Sequence, residues 1–446
     1  MSREGSLDAP IRHPLGQDKR EFFDEERLDK ELERIFGICH GCRRCFSLCE
    51  TFPTLFDLVD ESETMEVDGV AKEDYDKVID HCYQCDMCYQ TKCPYVPPHE
   101  WNVDFPHLML RAKAVKFRKN ESKFRDRLIT STDLMGAVIS TPGIAQAANR
   151  VNKMKPFRKL LNFVLQIHPD ASLPEYQSNT LNRRTRMHVP ADIKVKQTES
   201  TRGKVALFAT CYGNYNAPEL GQDLVQIFEH NGIPVKIIRD ARCCGMPKYE
   251  LGDLDTVEKL KRHNIPVLAR LVDEGYDLVT LIPSCTLMFK QELPLMYPDE
   301  SRVRKVQQAM FDPFEYLMLR HKEGLLKTDF NNSLGKVAYQ VACHQRVQNI
   351  GMKTRDILQL IPGTEIVPIE RCTGHDGTYT FKSEKHEAAM KILKPVVSRV
   401  QQSEAAHYTS DCAMAGAHIA HGLADGTKAT HPLSLLKYAY GNLGSE

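Results

Sequence analysis

GKVALFATC (203–211) and GKVAYQVAC (335–343) repeat one pattern, and reading them together decides the fold. Each is an apolar run of strand length that stops on a cysteine, Cys211 or Cys343, and leads through a turn into helical spacing. Each copy then continues in the same order: a second strand (IPVKII, 233–238; TEIVPI, 364–369), a short cysteine motif, a helix, and a third strand that stops on a cysteine (YDLVTLIPSC, 276–285; AAHYTSDC, 405–412). Strands alternating with helices at this spacing predict parallel α/β units, in which ligands gather at the carboxyl ends of the strands. The cysteines sit at those ends.

Before the repeat, residues 105–200 carry no cysteine, and helical patterns there alternate with breakers at Pro142, Gly143, Pro156, Pro169 and Pro174, as expected of a helical connector. Before the connector, CHGCRRCFSLC places Cys39, Cys42, Cys45 and Cys49 at intervals of three, three and four, and CYQCDMCYQTKCP places Cys82, Cys85, Cys88 and Cys93 at three, three and five. A tight turn with a cysteine at every third residue wraps three thiolates around one face of an iron-sulfur cube, and the fourth must come from elsewhere. In two-cluster ferredoxins it comes from the other motif. The expected sets are therefore Cys39, Cys42, Cys45 and Cys93 on one 4Fe-4S cluster, and Cys82, Cys85, Cys88 and Cys49 on a second. Structural zinc is the plainer alternative, but such sites usually pair two Cys-x-x-Cys halves. A polar arm (1–20) and an amphipathic helix with Phe23, Leu28, Leu32, Ile35 and Phe36 at helical spacing lead into the first motif.

Lysine plus arginine and aspartate plus glutamate both number 59, so nothing suggests a nucleic-acid partner. A polar N-terminus and the lack of any long apolar run point to a cytoplasmic protein, and fifteen cysteines in such a chain point to metal rather than disulfides. The run 111–127 holds eight lysines and arginines against two acids. It reads as a solvated helix face or, more sharply, as a peripheral contact with anionic lipid on the inner membrane face or with an acidic partner. Trp101, beside Pro97, Pro98 and His99, is placed to shield the second motif or simply to pack.

RCCGMP (242–247), PSCTLMFKQELP (283–294), RCTGHDGTYTFK (371–382) and HPLSLL (431–436) resemble the cysteine-rich CCG-domain proteins. These include the catalytic subunit of heterodisulfide reductase and the iron-sulfur subunits of anaerobic dehydrogenases, and the likeness here is nearest to the iron-sulfur subunit of anaerobic glycerol-3-phosphate dehydrogenase. The resemblance implies an α+β multidomain chain: an N-terminal α-helical ferredoxin-like domain with two clusters (1–104), the connector (105–200), CCG domain 1 (201–331) and a degenerate CCG domain 2 (332–446). The fullest family form has five cysteines per domain, able to hold an unusual noncubane cluster. Copy one keeps Cys211, Cys243, Cys244 and Cys285, with Met288 where a fifth would fall, and four thiolates suffice for a third cluster. Copy two keeps Cys343, Cys372 and Cys412, with Thr373 and Ala415 where others would stand; His375 or His344 could complete the set.

With no phosphate-cradling loop, dinucleotide turn or nucleophile motif, no catalytic residue is assigned. The expectation is an electron-transfer subunit that relays electrons between a partner oxidoreductase, which the resemblance implies is a flavoprotein dehydrogenase or a rubrerythrin-like di-iron protein, and a further donor or acceptor, from the N-terminal clusters to copy one or the reverse. The alternatives are a cluster-based thiol/disulfide reductase and a zinc-braced interaction scaffold.

Overall fold

A computed structural model describes residues 9–441 and 443. Asp24 caps helix α1 (Glu25–Cys42) by accepting from Arg27 N, and Leu28, Leu32, Ile35 and Phe36 form the buried stripe anticipated from their spacing, whereas Phe23, expected with them, lies in the turn before the helix. With α2 (Thr51–Asp60), α3 (Tyr75–Ile79) and α4 (Met87–Thr91), this helix builds a small core. The helix α5 (Phe105–Arg118), grouped by sequence with the connector, also supplies Phe105, Leu108, Met109, Ala112 and Val115 to that core. The connector proper is a run of short helices: α6 (Phe124–Ile129), α7 (Thr132–Ile139), α8 (Ile144–Asn152) and α9 (Lys155–Leu165).

Two parallel sheets follow. The first orders β1 (Val205–Phe208), β2 (Val235–Ile237), β3 (Asp277–Thr280) and β4 (Met310–Phe311) as β2-β1-β3-β4; the second orders β5 (Gly335–Gln340), β6 (Thr364–Ile369) and β7 (His407–Ser410) as β6-β5-β7. β1 and β5 are thus equivalent central strands, in register with their neighbours at Val205↔Val235, Val205↔Asp277, Val337↔Ile366 and Val337↔His407. Two long helices, Leu254–Asp273 and Ser383–Gln402, are also equivalent and each contains an internal proline, Pro266 or Pro395.

The copies exchange their last helices. Pro313–Lys322, which ends copy one, packs on Lys353–Leu358 of copy two. Pro432–Tyr440, which ends copy two, packs on Pro218–His230 of copy one, where Ser434 Oγ donates to Asp223 Oδ2 at 2.6 Å and Lys437 Nζ pairs with Asp223 Oδ1 at 2.9 Å. One contiguous core therefore runs through both sheets and through Phe22, Met87 and Leu110 of the N-terminal region.

The arm is bound rather than free. Residues 1–8 lie outside the described residues, but Ile11 N donates to Pro97 O and Leu15 N to Leu295 O, both at 2.9 Å. Between them, Arg12 is buried over the Tyr89 ring and grips Asp104 with two bonds, of 2.9 and 3.1 Å. It also pairs with Asp86 and lies 3.6 Å from Glu292. A widened π turn (Met288–Glu292) carries Gln291 to Asp86 Oδ2 at 3.0 Å, while Glu292 accepts from Tyr249 Oη at 2.5 Å. Asp86 belongs to the second cysteine motif and Glu292 to copy one, so a single guanidinium clasps the two regions together.

Burial pushes Asp86 up to about 6 despite the pull of Arg12. Burial also opposes ionisation of Asp104, but Arg12 overrides it and holds that carboxyl near 2. Removing the cation would strand these acids in a low-dielectric site, so Arg12→Met is expected to destabilise the chain by about 3–5 kcal/mol. Anaerobic urea denaturation measures this, and Glu292→Gln in the same chain should restore part of the loss.

Candidate functional site

The strands end before the cysteines, contrary to the sequence expectation. β1 stops at Phe208 and β3 at Thr280, whereas Cys211 opens helix Cys211–Tyr215 and Cys285 lies inside helix Pro283–Leu287. Likewise β5 stops at Gln340 and β7 at Ser410; Cys343 opens helix Cys343–Arg346 and Cys412 caps helix Ala413–Leu423. Each thiol is thus set in the turn from strand to helix, beyond the carboxyl edge of its sheet. At Cys211 the turn is strained: Thr210 takes φ 65°, a conformation costly for a β-branched residue, and its hydroxyl accepts from Gly213 N at 2.9 Å.

In the N-terminal region, Arg43 at φ 52° ends α1 so that the chain turns between Cys42 and Cys45; Gln84 and Asp86, at φ 53° and 58°, turn the second motif. Cys93 comes within electrostatic reach of Cys39, Cys42 and Cys45, and Cys49 within reach of Cys82, Cys85 and Cys88. Burial pushes Cys39, Cys85 and Cys88 well above the ordinary thiol range and Cys45 up to about 12, reinforced by their neighbouring thiols. Peptide N–H groups two residues on donate to Cys82, Cys85 and Cys93, from Gln84, Met87 and Tyr95 respectively. Beyond Cys93, Trp101 remains 43% exposed against Tyr95 and His99, so it covers this end only partly.

The same N–H arrangement recurs in the repeat. Gly245 N donates to Cys243 Sγ at 3.5 Å and Gly374 N to Cys372 Sγ at 3.2 Å. Gly374 is required twice over: it has φ 72°, and a Cβ there would lie 2.6 Å from Ala389 O. In copy one the thiols are neighbours in series, Cys211 with Cys243, Cys243 with Cys244 and Cys244 with Cys285, and their mutual influence raises Cys211 and Cys244 while drawing Cys243 well below the ordinary thiol range. Two connector residues that sequence reading missed close around it: Thr132 Oγ1 donates to Cys243 Sγ at 3.4 Å, and Asp133 Oδ2 accepts from Cys243 N at 2.6 Å. Burial first, then the Cys243 thiol, push Asp133 up to about 6.

In copy two, Cys343 and Cys372 are close neighbours and Cys412 lies within reach of Cys343; their mutual influence raises Cys343 and draws Cys372 down to about 7. Tyr83, between Cys82 and Cys85, places its hydroxyl 3.3 Å from Cys372 Sγ, and Cys85 is an electrostatic neighbour of both Cys343 and Cys372. His81 Nδ1 meets Tyr379 Oη at 2.6 Å and His344 Nε2 meets Gln84 O at 3.2 Å, fastening the contact. The second N-terminal set therefore borders copy two, whereas the sequence reading ran it directly to copy one.

Both copies open on a cavity of about 1350 Å³ lined by Cys211, Cys244, Cys285, Cys343, Cys372 and Cys412, with Tyr83, His344 and His375 in its wall. Met135, Ile139, Val151, Phe157 and Leu161 of the connector line it too. His375 Nδ1 has no hydrogen-bond partner, and burial pulls the ring down to about 4, so it is neutral. Behind it His418, 1% exposed, leaves both ring nitrogens unpartnered. Among the described residues no three His, Cys, Asp or Glu side chains close around a point as a single bound ion would need.

Residues 205–290 match the family model for the cysteine-rich CCG domain. A subunit of the anaerobic glycerol-3-phosphate dehydrogenase of Escherichia coli K12 is 28% identical over 347 residues, covering 76% of this chain and 82% of its own length. A subunit of the CoM/CoB fumarate reductase of Methanothermobacter marburgensis is 28% identical over 53% of this chain and 46% of its own length. An uncharacterized iron-sulfur protein of Methanococcus maripaludis is 24% identical over 91% of this chain and 73% of its own length. The chain thus carries a cysteine-rich CCG domain, and it is homologous to that glycerol-3-phosphate dehydrogenase component and to uncharacterized iron-sulfur proteins.

Proposed function

We propose that this chain is an iron-sulfur electron-transfer subunit, relaying electrons between a partner oxidoreductase and a further donor or acceptor. The partner is a flavoprotein dehydrogenase, in keeping with the glycerol-3-phosphate dehydrogenase relative, or a rubrerythrin-like di-iron protein. The observation that carries the reading is the unbroken succession of thiol groups from Cys39 to the cavity, joined where Tyr83 meets Cys372.

In this reading Cys39, Cys42, Cys45 and Cys93 hold one 4Fe-4S cluster and Cys49, Cys82, Cys85 and Cys88 a second, in a helical ferredoxin-like region. Cys211, Cys243, Cys244 and Cys285 hold a third, and Cys343, Cys372 and Cys412 form a three-thiol site with His375 Nδ1 open beside it. The donor sets fit: buried thiols, most of which resist ionising alone, are stabilised as thiolates by a cationic core. Such a cluster supplies one-electron transfer at a potential set by charge, hydrogen bonds and exposure. The protein's share is to keep the sets in series, aim peptide N–H groups at sulfur, and limit water.

Anaerobic purification with iron and sulfide analysis tests the assignment. About eight irons per chain correspond to two clusters and about twelve to three; pale, zinc-bearing protein without labile sulfide would instead favour the scaffold reading. Cys343→Ser should lower the iron content or alter the EPR of the reduced protein, and an unchanged result would remove copy two from the relay. If copy two is redox-active, Tyr83→Phe deletes a hydrogen bond to Cys372 and should lower that centre's potential by on the order of 50 mV, equivalent to about 1 kcal/mol, in a redox titration.

The cavity favours a second reading, a thiol or disulfide substrate reacting between the copies, because thiols of both copies and apolar connector side chains line it together, as in a small-molecule site. Disulfide-dependent oxidation of the dithionite-reduced protein, abolished by Cys244→Ser, would support it. Oxidation by a partner protein alone would refute it.

A further inference from the structure

The connector turns apolar side chains outward as well as into the cavity. Leu134 and Val138 on α7 are 64% and 53% exposed, and Leu160, Phe163 and Val164 on α9 are 55%, 88% and 63% exposed. Residues 160, 163 and 164 share one face of α9, so the exposure is a stripe rather than scattered positions. Soluble surfaces seldom leave such a stripe uncovered unless something docks there.

Charge indicates what docks. Across residues 134–169 there is no aspartate or glutamate, in a chain whose acids and bases otherwise balance. Arg150, Lys155 and Lys159 are exposed and have no ion pair among the described residues; Lys153 pairs with Glu175 at 2.6 Å. The basic run 111–127, which the sequence offered for this role, is largely paired within the chain, although Arg118 is exposed over the Phe23 ring with no ion pair among the described residues. Lys116 pairs with Asp76 and Asp80, Lys119 with Glu25 and Glu121, and Arg125 with Asp126 and Glu384, while Arg111 binds the backbone oxygens of Glu21, Phe22 and Asp24.

We propose that α7 and α9 dock the chain on an anionic lipid bilayer, with Leu160, Phe163 and Val164 seated among the acyl chains and Arg150, Lys155 and Lys159 at the headgroups. A short amphipathic helix with an apolar stripe and a cationic rim lies in the plane of the interface and binds through both. No helix among the described residues is long and apolar enough to cross a membrane, so attachment through this face is peripheral. A second copy is a poorer occupant, because a two-fold contact would set the same acid-free cationic face against itself. Docking would lay the outer wall of the cavity against the bilayer. None of this depends on what the thiols hold.

Cosedimentation of the full, anaerobically purified chain with phosphatidylcholine vesicles, with and without phosphatidylglycerol, tests the proposal. Binding is expected on the anionic vesicles, weakened by salt, and at least about tenfold weaker in Leu160→Glu/Phe163→Glu. Both sites are exposed, and unchanged iron content and circular dichroism would show the fold intact. The chain has one tryptophan, so Phe163→Trp with Trp101→Phe gives a clean reporter whose emission should shift to the blue on anionic vesicles. No binding to either vesicle, binding indifferent to the double glutamate variant, or a dimer in vesicle-free solution that this variant dissolves would overturn it.

Discussion

A thiol withdrawn from water resists giving up its proton, and several thiols withdrawn together resist it more, because each would-be anion raises the cost of the next. The arrangement of this chain follows from that constraint. All fifteen cysteines are partly or wholly buried, and thiols drawn from distant parts of the sequence become neighbours. Groups such as Cys39, Cys85 and Cys88 then stay protonated when left to themselves, whereas the neighbouring thiols draw Cys243 well down and Cys372 down to about 7. Peptide N–H donors aimed at sulfur, and the turns that aim them, suit thiolates facing a positive centre.

Holding these groups in fixed relation is the task of the rest of the fold. Arg12 joins the second cysteine motif to copy one through Asp86 and Glu292, and Tyr83 joins that motif to copy two through Cys372. The exchanged helices Pro313–Lys322 and Pro432–Tyr440 prevent the two sheets from separating without tearing a shared core. Each copy is therefore braced from the other side. Electron transfer falls off steeply with distance, so a chain built for it gains from such cross-bracing more than from a flexible linker.

Local pattern sufficed for what is local. The α1 stripe, the strand Thr364–Ile369 and the equivalence of the central strands could be read from spacing alone, as could every cysteine near the site. Strand ends were misplaced because an apolar run does not reveal where ladder pairing stops and a helix begins. The basic run 111–127 is in part the solvated face its sequence suggests, with Arg118, Lys119 and Lys123 exposed, but its acidic partners, such as Glu25 and Glu384, lie far away in sequence and leave no local sign. Arg12, Tyr83, Thr132 and Asp133 were invisible for the same reason: each acts on a residue between 74 and 289 positions distant. A buried ion pair or a hydroxyl on sulfur leaves no periodic trace.

Copy two holds three cysteines where copy one holds four, and its position bears on whether it is an idle scaffold. A scaffold that holds no centre would be expected to be filled with bulky apolar side chains, since unfilled space forgoes packing energy. Instead Thr373 and Ala415 are small, the space in front of Cys343, Cys372 and Cys412 is open, and the nearby His375 keeps an unpartnered nitrogen although burial of an unpaired polar atom is costly. Tyr83 and Gly374 still direct donors at Cys372. These features cost stability without any return in an idle scaffold. They are accounted for if this cradle, lying between the second N-terminal thiol set and the cavity, still receives a group that the three sulfurs help to hold.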